Sequence, residues 1–499
     1  MSLCEFTLEE AVYRLRKKEV SSTDITRAFI SKIEENRHLN AFITETFDHA
    51  LRQAAESDAK IMAGTGGKLE GAPLGIKDLF CTKGIRTTAG SRILENFVPQ
   101  YESTVSQNLL NEGAVFLGKL NMDEFAMGSA NITSYFGRVI NPIRSTQTPE
   151  KDLVPGGSSG GSAATVAAHM VLAATASDTG GSVRQPASFT GTVGMKPTYG
   201  LCSRYGMMPL ASSLDQAGPI ARTVRDAALM LSVMSSFDEK DSTSIRVDRP
   251  DYLRNLVPSV KGLKIGLLHE YFQDLSGDLL TVMQKNIDKL KALGAEIVEI
   301  SLETLKYALP AYYVIQPAEA SSNLAKYDGV HFGFREKTAA TLRDLYMETR
   351  RNGFGKEVRR RIFIGTYVLS RDEYESYYLL AKKVQMKIQN GFKEAFEAVD
   401  VILTPTATGG AFGVEDGPKM SSVEMYLNDV FTVSVNLAGL PAIAIPGGHT
   451  SDGLPLGIQF IGPLLSEQLL FNVAAAIEEP AVSNGKQCAA THDCNCAKE

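Results

Sequence analysis

The sequence lacks several features that would assign it to a class at once. It has no run of about 18 apolar residues, so we predict no helix that crosses a membrane. Its first residues, MSLCEFTLEEAV, contain neither the basic nor the apolar segment of a signal peptide. The formal net charge is −6, whereas a protein that grips nucleic acid by itself needs a basic surface. We therefore expect a cytoplasmic protein that does not hold nucleic acid alone.

Cysteine is also scarce, with six in 499 residues. Three cysteines stand alone, which predicts reduced thiols. The other three lie near the end of the sequence beside His492, but no second cysteine pair stands at the spacing of a metal knuckle. These are Cys4, Cys81, Cys202, Cys488, Cys494 and Cys496. We expect no metal site and interpret residues 479–499 as a disordered tail.

The rest of the composition is that of a soluble globular protein, with 44% hydrophobic and 22% charged residues. Apolar periodicity predicts a helical flank over residues 1–59. Alternating strands and helices follow in a core over residues 60–235, and residues 302–398 are mostly helical. Strands return after residue 400. We predict an α/β fold in which residues 1–478 form one domain, with one sheet built from distant segments and a helical insertion in the second half.

Two loops rich in glycine and serine stand out, at residues 156–161 and 179–182. A single small-residue helix that includes His169 is predicted between them. Glycine permits backbone conformations and close approaches that other residues do not. We predict that the two loops bring serine hydroxyls and unpaired backbone N–H groups close to each other.

Four interpretations of these loops compete. A phosphate loop is disfavoured because no Gly-Lys-Ser/Thr follows. A nucleophile elbow is possible because residues 157–161 satisfy G-x-S-x-G, but that chemistry needs a histidine, and His169 lies in an apolar context typical of a core residue. A purely structural role explains the glycines without the serines. The fourth is a serine nucleophile served by a lysine base.

A lysine can act as a base near pH 7 only when burial lowers its pKa. Lys77 is the candidate, because it ends a short apolar segment that resembles a strand tip. By itself this position is weak, since most lysines at strand tips lie on the surface.

Three stretches together resemble the amidase signature family, the Ser–Ser–Lys amidases: GAPLGIKD (71–78), GGSSGGS (156–162) and SDTGGSVRQP (177–186). The resemblance implies a large mixed sheet surrounded by helices. It also implies the site residues. These are the nucleophile Ser182, the bridging Ser158 held by a cis peptide, the base Lys77, and an oxyanion hole formed by the backbone N–H groups of Thr179, Gly180, Gly181 and Ser182.

Further stretches resemble one branch of that family, the glutaminase subunits of bacterial glutamyl-tRNA(Gln) and aspartyl-tRNA(Asn) amidotransferases. They are LNMDEFAMGSA (120–130), EASSNLAKYDG (319–329), FGKEVRRRIFIGTY (354–367) and MYLNDVFTVSVNLAGLPAIAIPGG (425–448). This resemblance implies a glutaminase that acts in a heterotrimer with the B and C subunits of such a complex. Ammonia would pass to the B subunit, which binds tRNA and uses ATP and Mg²⁺, and no cofactor would reside in this chain.

Glutamine carries an α-carboxylate and an α-ammonium, so a selective site should offer one arginine and one acid. The resemblance places the arginine at Arg360 or Arg361 and the acid at Asp429. Candidates for lining the pocket are Ser129, Tyr312 and Tyr313, and candidates for carrying ammonia are Asp123 and Glu124. The alternatives are a stand-alone amidase of the same family and a catalytically inactive interaction subunit.

Overall fold

In the computed structural model, which describes residues 2–273, 275–331 and 333–479, one mixed sheet of eleven strands runs through the molecule. The strands are β1 Phe42–Glu45, β2 Pro73–Lys77, β3 Val115–Leu120, β4 Ala173–Asp178, β5 Val193–Lys196, β6 Gln216–Ala221, β7 Lys264–Leu268, β8 Glu296–Ile300, β9 Val401–Pro405, β10 Ala442–His449 and β11 Pro455–Ile461. Their order across the sheet is β1-β3-β2-β4-β6-β5-β10-β11-β9-β7-β8. The predicted α/β fold with a sheet built from distant segments is confirmed.

Helices pack against this sheet and against each other. They are α1 Leu8–Arg16, α2 Ser22–Glu35, α3 Phe47–Ala63, α4 Thr104–Asn111, α5 Gly160–Ala167, α6 Arg184–Thr190, α7 Val224–Met234, α8 His269–Phe272, α9 Gly277–Ala292, α10 Ala308–Asn323, α11 Leu342–Gly353, α12 Lys356–Val368, α13 Leu380–Ala398, α14 Ser422–Leu427, α15 Val433–Ala438 and α16 Glu467–Ile477. In the second half of the chain, α10 packs against both α12 and α13.

The sheet brings the two predicted site segments to one edge. Strands β2 and β4 are parallel neighbours, with Leu74 opposite Ala173. Because parallel strands end at the same edge, Lys77 at the end of β2 and the loop after Asp178 at the end of β4 lie side by side. Both strands are fully buried, which suits their small and apolar residues.

Residues 1–59, the predicted helical flank, contain α1, α2 and most of α3. Two of these helices begin at side-chain caps: the Thr7 side chain accepts from Glu10 N, and the Ser21 side chain accepts from Asp24 N. However, β1 lies within the flank and pairs with β3 at the sheet edge. A four-residue strand that is only half-buried has too short a pattern to be distinguished from the helices around it.

The prediction of a single spacer helix between the two loops is wrong. Helix α5 ends at Ala167, His169 adopts a φ of +55°, and β4 begins at Ala173. Runs of alanine with serine and threonine fit a buried strand as well as a helix, so sheet pairing decides. His169 is half-exposed, and its Nδ1 is hydrogen-bonded to Arg222 at 2.9 Å.

The predictions about the cysteines, the tail and the single domain have different outcomes. Cys4, Cys81 and Cys202 are buried free thiols, as predicted. Residues 480–499, which hold the other three cysteines, lie outside the described residues. That residues 1–478 form one domain stays a prediction. In the described part of the chain, no helix combines the length and apolarity needed to traverse a bilayer.

Candidate active site

Lys77 lies at the centre of a buried hydroxyl cluster. Its Nζ is 2.8 Å from the Oγ atoms of Ser158, Ser159 and Ser177. The side chain is fully buried. Burial lowers the pKa of Lys77 to about 7, against the opposing effect of nearby carboxylates led by Asp123. A neutral amine is therefore accessible near neutral pH.

The three hydroxyl contacts of Lys77 accommodate the neutral amine, in which two N–H groups donate and one lone pair accepts. The Ser159 hydroxyl donates to Ser177 O at 3.2 Å, so Ser159 Oγ can only accept from Lys77. The lone pair of Lys77 is then left for the hydroxyl of Ser158 or Ser177. Ser159 and Ser177 are not among the predicted site residues, although Ser159 adjoins Ser158 in the glycine-rich loop.

The loop that carries Ser158 has a cis peptide bond between Gly157 and Ser158, as the resemblance implies. Gly157 N donates to Gln185 Oε1 at 3.0 Å, and Asp123 N donates to Ser158 O at 3.2 Å. A Cβ on Gly157 would overlap Asp123 Oδ2, so this contact requires glycine. Gln185 also donates to Ser129 O at 3.1 Å, which links this loop to the predicted pocket.

Ser182 lies in a turn that is organised by a buried ion pair. Asp178 accepts from Gly181 N at 2.8 Å and Val183 N at 3.2 Å, and it binds the Arg184 guanidinium through two bonds of 3.0 Å. Although burial disfavours its charged form, Arg184 holds the pKa of Asp178 well below its usual range. Asp178 and Arg184 are not among the predicted site residues. Their charges in a segment of small and apolar residues are a sequence signal for a buried ion pair.

Three of the four predicted oxyanion donors are available. The N–H of Gly181 is already bound by Asp178. Within the described residues, the N–H groups of Thr179, Gly180 and Ser182 have no protein acceptor. Ser182 is 9% exposed, and no hydrogen bond among the described residues joins its Oγ to Ser158.

The predicted substrate acid is surrounded by two other predicted residues. Asp429 accepts from Ser129 Oγ at 2.9 Å and from the Tyr313 hydroxyl at 2.9 Å. Burial raises the pKa of Asp429 to about 6, although these hydroxyl bonds act in the opposite direction. Tyr312 instead packs over Gly180 in the nucleophile loop, so the two neighbouring tyrosines contact different parts of the site.

The two candidate arginines differ in burial and in their contacts. Arg361 is buried, donates to Gln316 Oε1 and Glu357 Oε1 at 2.7 Å each, and lies 5.3 Å from the centre of the Tyr313 ring. Arg360 is half-exposed and contacts Ser422 and Glu357. Tyr313 contacts both Arg361 and Asp429. Arg361 is therefore the better candidate for the arginine that binds substrate together with Asp429.

A cavity of about 770 Å³ adjoins this cluster. Its lining includes Glu124, Ser129, Arg360, Arg361 and Tyr426. Among the described residues, no group of three or more His, Cys, Asp or Glu side chains is arranged to hold a metal ion. The chemistry available here is that of a buried amine, serine hydroxyls and backbone N–H groups.

Comparisons with known proteins give consistent results. The model of the family described as Amidase matches residues 24–471. The glutamyl-tRNA(Gln) amidotransferase A subunit of Hyphomonas neptunium is 58% identical over 482 residues, which cover 96% of this chain and 97% of that relative. The protein of the same name from Caulobacter vibrioides is also 58% identical over 482 residues, covering 96% and 98%.

Solved structures show the same likeness. The glutamyl-tRNA(Gln) amidotransferase A subunit of Thermotoga maritima matches with a TM-score of 0.77 at 39% identity, covering 96% of this chain and 95% of that chain. The peptide amidase of Stenotrophomonas maltophilia matches with a TM-score of 0.79 at 29% identity, covering 95% and 96%.

Proposed function

The chain belongs to the amidase family, and on that premise we propose that it is the glutamine-hydrolysing subunit of a tRNA-dependent amidotransferase. The observation that carries this proposal is the placement of Arg361 and Asp429 against Tyr313, whose neighbour Tyr312 packs over Gly180 in the nucleophile loop. A buried arginine and a buried acid match the α-carboxylate and α-ammonium of glutamine. An amidase that acts on uncharged amides has no use for either group.

The reaction begins when Ser182 Oγ attacks the side-chain carbonyl carbon of glutamine. Its proton passes through Ser158 to neutral Lys77. Because Ser182 and Ser158 are not hydrogen-bonded among the described residues, this relay requires Ser182 Oγ to turn toward Ser158 when substrate binds. The oxyanion is stabilised by backbone N–H groups of the 179–182 loop, each of which contributes about 3 kcal/mol in comparable sites.

The tetrahedral intermediate then breaks its carbon–nitrogen bond. The leaving nitrogen takes the proton held by Lys77 and departs as ammonia, which leaves a γ-glutamyl ester on Ser182. Water then adds to the ester carbonyl, with Lys77 again as base, and glutamate is released from the regenerated Ser182. No step in this proposal uses a cofactor bound by this chain.

The ammonia serves a partner. We propose a cytoplasmic heterotrimer in which the B subunit binds tRNA and uses ATP and Mg²⁺ to convert Glu-tRNA(Gln) to Gln-tRNA(Gln), with the C subunit holding the two together. The net charge of −6 supports a division of labour in which another chain binds the RNA.

The test is Ser182→Ala in the complete complex. Glutamine-dependent transamidation should disappear, while transamidation driven by added ammonia should continue. Ser162→Ala is a matched control, because Ser162 is also buried but donates to Thr175 O outside the relay. Normal use of glutamine by Ser182→Ala would refute the nucleophile assignment. Hydrolysis of small uncharged amides by the chain alone, without activity on glutamine, would favour the stand-alone amidase.

A further inference from the structure

Asp123 and Glu124 are adjacent buried carboxylates whose side chains contact different halves of the site. We propose that they are positioning residues with separate tasks: Asp123 holds the Ser158 loop, and Glu124 holds the helix that carries Arg361. This inference rests on the proposed function, because it divides catalysis from glutamine binding.

Asp123 is hydrogen-bonded to the loop of residues 131–133 and to the loop that carries Ser158. Its carboxylate accepts from Asn131 N at 2.8 Å, from Thr133 N at 3.2 Å and from Thr133 Oγ1 at 2.8 Å. Its own N–H donates to Ser158 O at 3.2 Å, and its Oδ2 packs where a Cβ of Gly157 would lie. A displacement of this carboxylate therefore shifts the cis loop and Ser158 with it.

Glu124 is bound to the start of α12. Its Oε2 accepts from Gly355 N at 2.8 Å, and its Oε1 accepts from the Ser91 hydroxyl. Gly355 is the residue immediately before α12, and Arg361 lies on that helix. Glu124 thus connects the catalytic half of the molecule to the helix that holds the arginine.

The backbone conformation directly after Glu124 indicates that Asp123 and Glu124 are held in fixed positions. Phe125 and Ala126 both have positive φ, at +48° and +61°. Residues other than glycine persist in this region only where the surroundings enforce it. Phe125 packs against Tyr327 and Phe354 at ring distances of 5.1 and 5.7 Å, so the helical insertion enforces it here.

The experiment compares Asp123→Asn with Glu124→Gln in the full chain with its partner subunits, using kcat and KM for glutamine per active site. Asp123→Asn puts an amide N–H₂ against a backbone N–H and should lower kcat about tenfold or more, because misplaced catalytic groups slow the chemical step. Glu124→Gln should raise KM about tenfold with a smaller change in kcat, because a displaced Arg361 weakens glutamine binding.

Asp226→Asn is the matched control. Asp226 is equally buried, and its carboxylate accepts from Glu9 N at 2.9 Å, so it joins α7 to α1 away from the site. Substitution of a carboxylate with only a structural role should lower the unfolding temperature without changing kcat or KM. Two further variants keep the charges: Gly128→Ala would push the Asp123 carboxylate aside, and Gly355→Ala would push Glu124.

The outcomes are distinguishable. If Gly128→Ala follows Asp123→Asn and Gly355→Ala follows Glu124→Gln, the inference stands even where a charge variant fails to fold. The inference is wrong if the Asp123→Asn and Gly128→Ala variants change kcat and KM in the same way as the Glu124→Gln and Gly355→Ala variants. It is also wrong if these variants, like Asp226→Asn, change neither kcat nor KM. A wild-type complex that does not hydrolyse glutamine would refute the proposed function instead.

Discussion

Lys77 Nζ lies 2.8 Å from Ser158 Oγ, and both side chains are fully buried. An ammonium in this position would be deprived of most of its hydration, whereas a neutral amine can accept a proton from a hydroxyl. The contact therefore connects a burial effect to a catalytic role.

Lys77→Arg should abolish most glutaminase activity. A guanidinium stays charged at all accessible pH values, so it cannot accept the proton of Ser182. We expect kcat to fall by about 10²–10⁴-fold, the usual contribution of a positioned base. Steady-state glutaminase assays measure this, with Lys196→Met as control. Lys196 is also fully buried with a pKa lowered to about 7, but its Nζ donates only to Pro197 O among the described residues. Near-normal kcat in Lys77→Arg would contradict the base assignment.

The pH dependence should separate chemistry from binding. Burial lowers the pKa of Lys77 to about 7, so its reactive neutral form is lost as the pH falls, and kcat should decline below pH 7. Burial raises the pKa of Asp429 to about 6, so its anionic form is lost below that pH, and KM should rise there. Initial rates over about pH 5 to 9 at varied glutamine measure both, and a kcat that is flat down to about pH 5 would exclude Lys77 as the base.

The two arginines should differ as glutamine ligands. Arg361→Lys should raise KM by about tenfold or more, because an ammonium lacks the planar fork that pairs with a carboxylate. Arg360→Lys is the matched neighbour on the same helix and should change KM little, since Arg360 is half-exposed and contacts Ser422 and Glu357. The reverse order of effects would transfer the carboxylate site to Arg360.

Arg184→Met should destabilise the protein as well as inactivate it. The substitution leaves Asp178 as an unpaired buried charge, which costs about 3–5 kcal/mol in comparable cases. Because Asp178 also holds Gly181 N and Val183 N, the nucleophile turn should lose its shape. Thermal unfolding followed by circular dichroism measures the loss, with exposed Arg246→Met as control. An unchanged unfolding temperature would show that the pair does not stabilise the turn.

Much of the site can be predicted from local sequence. A short apolar segment that ends at Lys77 predicts a strand tip there, and β2 does end at Lys77. The glycine-rich stretches predict loops at Ser158 and Ser182, which the structure confirms. The wrong predictions fall where short patterns are ambiguous, as in β1 and in the alanine-rich segment that forms β4 rather than a continued helix.

Other features depend on contacts between distant segments. Nothing in the Arg359-Arg360-Arg361 triplet distinguishes its members, but helix geometry buries Arg361 against Gln316 and leaves Arg360 half-exposed. Likewise, Glu124 adjoins Asp123 in sequence, yet it contacts Gly355, a residue 231 positions away.

The sequence by itself determined that Lys77, Ser158 and Ser182 lie at a strand end and in turns, because apolar runs and glycine-rich stretches follow strong local rules. Only the tertiary structure decided which of them interact and in what ionisation state. Hydrogen-bond partners and desolvation depend on packing between segments far apart in the chain, and a linear pattern carries no information about that packing.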